Sequence, residues 1–149
     1  MLIRKDRAML AITILLDVAF HGGRQSTVSA ADLAERLGLA RRGMEPLLQA
    51  LSRAGLLESV RGPRGGYRLE RPRRDIKLSE IVVVAGGEEP DAVDGPRGAL
   101  LEKVVEPLWL RLEMSTQGVL AGMTLDDLLR QAGAAGLQRP DAEPITFAI

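Results

Sequence analysis

Apolar positions nearly encircle residues 7–20, where Leu10, Ile12, Ile14, Leu15, Leu16, Val18 and Ala19 leave little polar face. A helix of that kind belongs at the centre of a core. The polar stretch 21–27 contains Gly22 and Gly23 and predicts a loop. Ser29 is placed to cap a second helix over 30–37, with Asp32 in its first turn and Leu33, Ala34 and Leu37 on its apolar face. Gly38 ends that helix, and Leu39 and Ala40 form a turn. A third helix over 41–54 turns Met44, Leu47, Leu48 and Leu51 inward and stops at Gly55. Helix, tight glycine-containing turn and helix together predict a helix-turn-helix. A short strand over 56–60, a turn over 61–66 and a return strand over 67–69 add a β-hairpin directly after it. The expected fold is therefore mainly α with a small β-hairpin wing, a winged helix-turn-helix.

The second half follows a different pattern. Ser79 is expected to cap a short helix over 80–84, and the Gly-, Pro- and acid-rich stretch 86–98 reads as a loop. Residues 99–121 predict a long helix. Along it, Leu101, Val105, Leu108 and Leu112 follow at steps of 4, 3 and 4, with Val119 one heptad further on. That seam suits helix-on-helix packing. Ser115 interrupts the seam, Met114 lies beside the interruption, and Pro107 predicts a bend near the start. Thr124 caps a last helix to about residue 132, with Asp126 and Asp127 in its first turn. The organisation that results is a DNA-binding domain over 1–78, a short helix and acidic loop over 79–98, a dimerisation helix and final short helix over 99–133, and a tail over 134–149.

Composition sharpens this picture in three ways. Aromatic residues make up only 3% of the 149 residues, so the core must come from Leu, Ile, Val, Ala and Met. The zero net charge conceals an asymmetry: residues 1–75 hold fourteen basic and eight acidic side chains, and residues 76–149 hold six basic and twelve acidic. The basic groups of the front half are nearly all Arg, whose planar fork suits phosphate and guanine. An anionic partner for the front half is the implication. The absence of cysteine excludes disulfides, thiolate nucleophiles and cysteine-ligated metal. No apolar run reaches the roughly 18 residues needed to cross a bilayer. Asp17 lies inside the apolar stretch that follows Arg4, Lys5 and Arg7, and no small-residue cleavage site succeeds it, so the chain reads as cytoplasmic, with no membrane partner.

Candidate contacts to double-stranded DNA follow from the motif. The third helix would enter the major groove. Arg41 and Arg42 begin it and are the first choice for base or phosphate contacts. Glu45 is placed to accept from a cytosine amine or to orient an arginine, while Gln49 and Arg53 lie further along, nearer the backbone. Pro46 predicts a bend or a late start of this helix. In the wing, Arg61, Arg64 and Arg68 carry the charge, and Gly62, Gly65 and Gly66 allow a tight tip. Arg71, Arg73 and Arg74 extend the positive strip and would add salt-dependent, largely sequence-blind affinity.

Several motifs make the sequence resemble the Rrf-two family of bacterial winged-helix transcriptional regulators. They are Leu33-Ala34-Glu35-Arg36-Leu37-Gly38, Met44-Glu45 with Leu47, and Ala54-Gly55-Leu56-Leu57. The wing, Ser59-Val60-Arg61-Gly62-Pro63-Arg64-Gly65-Gly66-Tyr67-Arg68-Leu69, is the most specific, and Met123-Thr124-Leu125-Asp126-Asp127-Leu128 is also similar. The resemblance implies a homodimer in which the long helices cross, each DNA-binding domain meeting half of a palindromic site. It also implies recognition by residues 41–53 and a wing over 61–67. Cluster-binding members carry three cysteines between the short helix and the long one; here that region has none, so no iron–sulfur cluster of that kind is expected. The family often has an aromatic residue near Leu10 and another where this chain has Gly43.

Other chemistry is thin. His21 is the only histidine and, with Asp17, offers too few ligands for a metal. Glu88, Glu89, Asp91 and Asp94 form an acidic cluster without ligand spacing and read as solvated charge. Trp109 and Met114 read as seam or core residues. No nucleophile stands beside a base, so an enzyme is not expected. The expected function is a sequence-specific DNA-binding regulator, a repressor by preference, with no resident cofactor; it senses an unidentified small molecule, senses through a protein partner, or does not sense at all. The alternative is a degenerate winged-helix interaction module that no longer binds DNA specifically.

Overall fold

Helix α1 (Lys5–His21) is the element around which the others pack in the computed structural model, which describes residues 4–22, 26–87 and 95–137. Its Ala8, Ala11, Ile14, Leu15, Val18 and Ala19 are buried, and Leu10, Ile12 and Leu16 are half-buried against the same core. Met9 and Thr13 are the exposed exceptions to the near-encirclement. Helices α2 (Ala30–Leu37), α4 (Leu78–Gly86) and α6 (Leu125–Ala134) all touch α1, as does the second strand of the hairpin. Buried apolar side chains from Ala11 to Leu125 form one core.

Local signals place the helix-turn-helix. The Ser29 hydroxyl accepts from the Asp32 N–H at 3.0 Å and starts α2, and Gly38 ends it in the left-handed region at φ 66°. Arg36 clamps α2 to α1 through the Asp17 carboxylate, Nη2 donating to Oδ1 at 2.7 Å and Nε to Oδ2 at 3.0 Å. That pairing holds the Arg36 guanidinium above its ordinary value. Helix α3 (Arg41–Arg53) follows as one continuous helix. Pro46 does not break it: Pro46 and Arg42, the residue whose carbonyl loses its donor, are both exposed, where water can serve. Strands β1 (Leu57–Val60) and β2 (Gly66–Leu69) pair antiparallel, with Leu57 opposite Leu69 as the buried pair that seats the hairpin.

Helix α4 begins at Leu78 with Lys77 as its cap residue, so Ser79 is not the cap. Tertiary pairing sets this start. The Leu78 N–H donates to the Met123 carbonyl and the Leu125 N–H to the Ile76 carbonyl, both at 2.9 Å, and the Glu80 carboxylate closes the turn by accepting from the Lys77 N–H at 3.1 Å. The helix also runs through Gly86 rather than stopping at residue 84, because Val82, Ala85 and Gly86 are buried. The acidic positions 88, 89, 91 and 94 lie outside the described residues, as does the tail from 138 onward.

The long helix, α5, is built of a π-helical turn, Leu101–Val105, running into an α-helix, Glu106–Ala121. Pro107 explains the wide turn. It has no N–H to give the Lys103 carbonyl and its ring would crowd that oxygen, so the turn opens and the Glu106 N–H reaches back five residues to Leu101. In α6 the Thr124 hydroxyl accepts from the Asp127 N–H at 3.3 Å, while the Asp127 carboxylate accepts from the Thr124 N–H at 2.9 Å. The latter bond, with Arg130 nearby, holds the Asp127 carboxyl below its ordinary value.

Leu15 is fully buried and Met9 is not. Leu15→Ala should lower stability by about 2–5 kcal/mol, and Met9→Ala by no more than about 0.5 kcal/mol; chemical denaturation of the two variants checks the contrast.

Candidate nucleic-acid interface

Burying Met44, Leu47, Leu48 and Leu51 turns the opposite face of α3 outward. Arg41, Arg42, Glu45, Gln49 and Arg53 are all exposed there, and the steps from 42 to 45, 49 and 53 keep them on one stripe. No carboxylate among the described residues lies within ion-pair distance of Arg41, Arg42 or Arg53. These three cations are exposed to solvent. Gly43 is exposed too, with open space where a side chain would stand.

The wing is a tight turn fastened on both sides. Gly62 sits at φ 114°, and the Gly65 N–H donates to the Gly62 carbonyl at 2.8 Å, leaving Arg61 and Arg64 exposed beside the tip. Gly65 and Gly66 are required for space. A Cβ on Gly65 would stand 2.6 Å from the Val60 oxygen, and one on Gly66 would stand 2.4 Å from the Val28 oxygen. Val28 approaches so closely because it bridges the free edge of β2: the Val28 N–H donates to the Tyr67 carbonyl and the Tyr67 N–H to the Val28 carbonyl, each at 2.8 Å. One residue earlier, the Thr27 hydroxyl donates to the Arg64 carbonyl at 2.7 Å. The same short segment thus pins the wing and, through Ser29, starts α2. Sequence patterning assigns Thr27 and Val28 only to a polar loop and its exit; two adjacent β-branched residues are the signal for an edge pairing.

Not every arginine of the front half points away from the protein. On β2, Arg68 stands opposite Glu58 and its Nε donates to the Glu58 carboxylate at 2.8 Å, which holds the guanidinium above its ordinary value. Arg71 reaches Glu80 of α4 at 3.3 Å, and Arg73 reaches Asp126 of α6 at 2.7 Å. The positive strip expected over Arg71, Arg73 and Arg74 is therefore shortened. Two of these arginines tie the 3₁₀ turn Arg73–Asp75 and its approach to the helices beneath, and Arg74 stays exposed.

The predicted seam on α5 is largely uncovered. Val105 is 45% exposed, Leu108 45%, Leu112 50% and Val119 64%, with Leu101 half-buried. Leu100, Val104, Trp109, Leu110 and Met114 are exposed as well, so apolar side chains reach solvent on more than one side of the helix. His21 is edge-on to Phe20, and its Nε2 lies 3.7 Å from the Asp17 carboxylate that Arg36 already occupies. Among the described residues no group of three or more His, Cys, Asp or Glu is placed to hold a metal. No described helix is long and apolar enough to cross a membrane.

Comparison with known proteins agrees with this geometry. Residues 4–131 match the Rrf2 family model, described as an iron-dependent transcriptional regulator. The HTH-type transcriptional regulator IscR of Photobacterium profundum is 38% identical over 129 residues, covering 84% of this chain and 74% of its own. IscR of Vibrio atlanticus is 34% identical over 148 residues, covering 97% of this chain and 83% of its own. Among solved structures, T. potens IscR superposes with a TM-score of 0.68 at 33% identity over 88% of each chain. CymR, the global cysteine regulator of B. subtilis, superposes with a TM-score of 0.65 at 29% identity, covering 88% of this chain and 98% of its own. The word iron in the family's description meets a chain with no cysteine at all. The three-thiolate ligand set is missing, and these residues do not fit such a cluster.

Gly66→Ala should break the Val28–Tyr67 bridge while leaving the helical core folded. Loss of hydrogen-exchange protection at the Val28 and Tyr67 amides, with the helical circular dichroism retained, is the expected result.

Proposed function

The chain belongs to the Rrf2 family of winged-helix DNA-binding transcriptional regulators, and from that premise we propose that it acts as a homodimer on a palindromic operator, as a repressor. One observation carries the reading. Five arginines, Arg41, Arg42 and Arg53 on α3 with Arg61 and Arg64 on the wing, are exposed and lack a carboxylate partner among the described residues, whereas Arg36, Arg68, Arg71 and Arg73 are all paired. A protein folding for its own sake has no use for such a division.

In this reading α3 lies in the major groove. Arg41 and Arg42 reach base edges or phosphates, Glu45 accepts from a cytosine amine or orients a neighbouring arginine, and Gln49 and Arg53 meet the backbone. Arg61 and Arg64 bring the wing to the flanking phosphates, and the stiff turn at Gly62–Gly65 keeps them there. Arg68 acts from behind, bracing the hairpin through Glu58. The exposed apolar surface of α5, with Leu101, Val105, Leu108, Leu112 and Val119 on the seam, supports burial against the same helix of a second copy. A dimer that occupies a promoter blocks it without further machinery, which favours repression, and such a target places the protein in the cytoplasm. With no cluster to hold, its signal is a molecule other than an iron–sulfur centre.

Binding to DNA from its own upstream region should be tight, selective over unrelated DNA, and steeply weakened by salt. Arg64→Ala should weaken binding nearly equally on all sequences. Arg41→Ala or Arg42→Ala should also relax specificity, by about 1–3 kcal/mol at the base concerned. Gel shifts at two salt concentrations read all three, and unchanged affinity in every variant would refute this surface. Leu112→Glu should convert the dimer to a monomer in analytical ultracentrifugation and weaken operator binding.

A further inference from the structure

We propose that the groove between the base of the wing, α4 and α5 binds a free α-amino acid with an aliphatic side chain. The groove is shallow and broadly open to solvent, with about 500 Å³ of space along it, room for a small molecule. Leu56, Val83 and Val84 give it an apolar lining, and Arg71, Glu80 and Gln117 bring polar groups to it. Its position, between the DNA-binding elements and the long helix, is where a signal would have to act.

The charges select the ligand. Arg71 Nη2 and Glu80 Oε1 are 3.3 Å apart, longer than the 2.7–2.9 Å of a strong charge-assisted bond. Arg71 gives one further N–H to the Asp75 carbonyl at 3.3 Å, and Glu80 uses its other oxygen on the Lys77 N–H. Guanidinium donors and carboxylate lone pairs remain unspent on both groups. One cation and one anion thus stand side by side against an apolar lining. A lone anion would satisfy Arg71 and meet repulsion from Glu80; a lone cation would do the reverse. A zwitterion satisfies both, its carboxylate on Arg71 and its ammonium on Glu80, with an aliphatic side chain against Val83, Val84 and Ala121. Gln117 offers an amide from α5 to either end.

The lining is mechanically continuous with the reading elements. The Leu56 N–H donates to the Leu51 carbonyl of α3 at 3.0 Å, and the Leu56 carbonyl accepts from the Glu70 N–H, next to Arg71, at 3.2 Å. A molecule held between Arg71 and Gln117 therefore couples the positions of α3 and the wing to that of α5. That consequence rests on the regulator reading above; the binding itself does not.

Isothermal titration of the full chain with L-leucine, isoamylamine and 4-methylpentanoate tests the site. Saturable binding of L-leucine is expected, with each one-charge analogue at least about tenfold weaker. Arg71→Gln, and separately Val83→Trp, which fills the groove from an exposed position, should abolish it with the thermal melt preserved. No binding of L-leucine, L-valine, L-isoleucine or L-methionine would overturn the proposal, as would equal binding of a one-charge analogue. Dissociation of the dimer by Val83→Trp without amino-acid binding would show that a second copy fills the groove, and would also overturn it. In fluorescence anisotropy, L-leucine should shift the operator Kd about fivefold or more. Specific, salt-steep DNA binding with no amino-acid binding sinks the site and spares the regulator reading. Amino-acid binding in a chain that never binds DNA does the opposite.

Discussion

Burial of α1 is the constraint on which the rest of the molecule depends. The helix is apolar on almost every side, so it is stable only when other elements enclose it. Helices α2, α4 and α6 and strand β2 do so, and their mutual positions follow from the side of α1 each covers. Ala8, Ala11 and Ala19 are buried without bulk and let neighbours approach closely. Two polar contacts then fix the orientation: Arg36 grips Asp17 at one end of α1, and Arg7 Nε donates to the Ala85 carbonyl at 2.7 Å at the other. Helix α3 does not need α1 as a direct partner of equal weight, because it packs on α2, α4 and β1. Its outer face is thereby held at a defined angle to the wing.

The arginines show how one residue type is divided between two tasks by tertiary context. Exposed ion pairs contribute little to stability, commonly below about 1 kcal/mol. The pairs of Arg68, Arg71 and Arg73 are better understood as positioning contacts: they join the hairpin across its strands and the 3₁₀ turn to α4 and α6. An arginine whose charge is already matched has less to gain from a phosphate. Those on the outer stripe of α3 and at the wing tip keep that gain in full, which concentrates the electrostatic attraction on a small surface.

Helix α5 obeys the opposite rule from α1. It is also apolar on several sides, yet much of its surface is uncovered within one chain. Water contact over so many aliphatic and aromatic groups is unfavourable, and in the proposed dimer a second copy of the same helix removes it. The π turn forced by Pro107 lies at the beginning of this surface and sets the direction of all that follows. The Arg71–Glu80 groove lies where this helix meets the DNA-binding elements, so a change there reaches both.

Much of this architecture is legible in the chain alone, because the responsible forces are local or periodic. Ser29, Gly38, Thr124 and the spacing of Met44, Leu47, Leu48 and Leu51 act within a few residues, and they fix where helices start, stop and face. The glycine-rich turn at 62–66 follows equally from backbone sterics. Position 79 is misleading as a cap because the competing interaction is distant: Leu78 and Lys77 pair with Met123 and Thr124, far along the chain. The edge bridge of Val28, the Thr27 bond to the wing, and the pairing of Arg68, Arg71 and Arg73 are hidden for the same reason. Sequence by itself determined the elements, their buried faces and the excess of arginine. Only the tertiary structure decided which arginines stand beside Glu58, Glu80 and Asp126 and which have no carboxylate neighbour among the described residues, since a charge has no neighbour until the chain has folded around it.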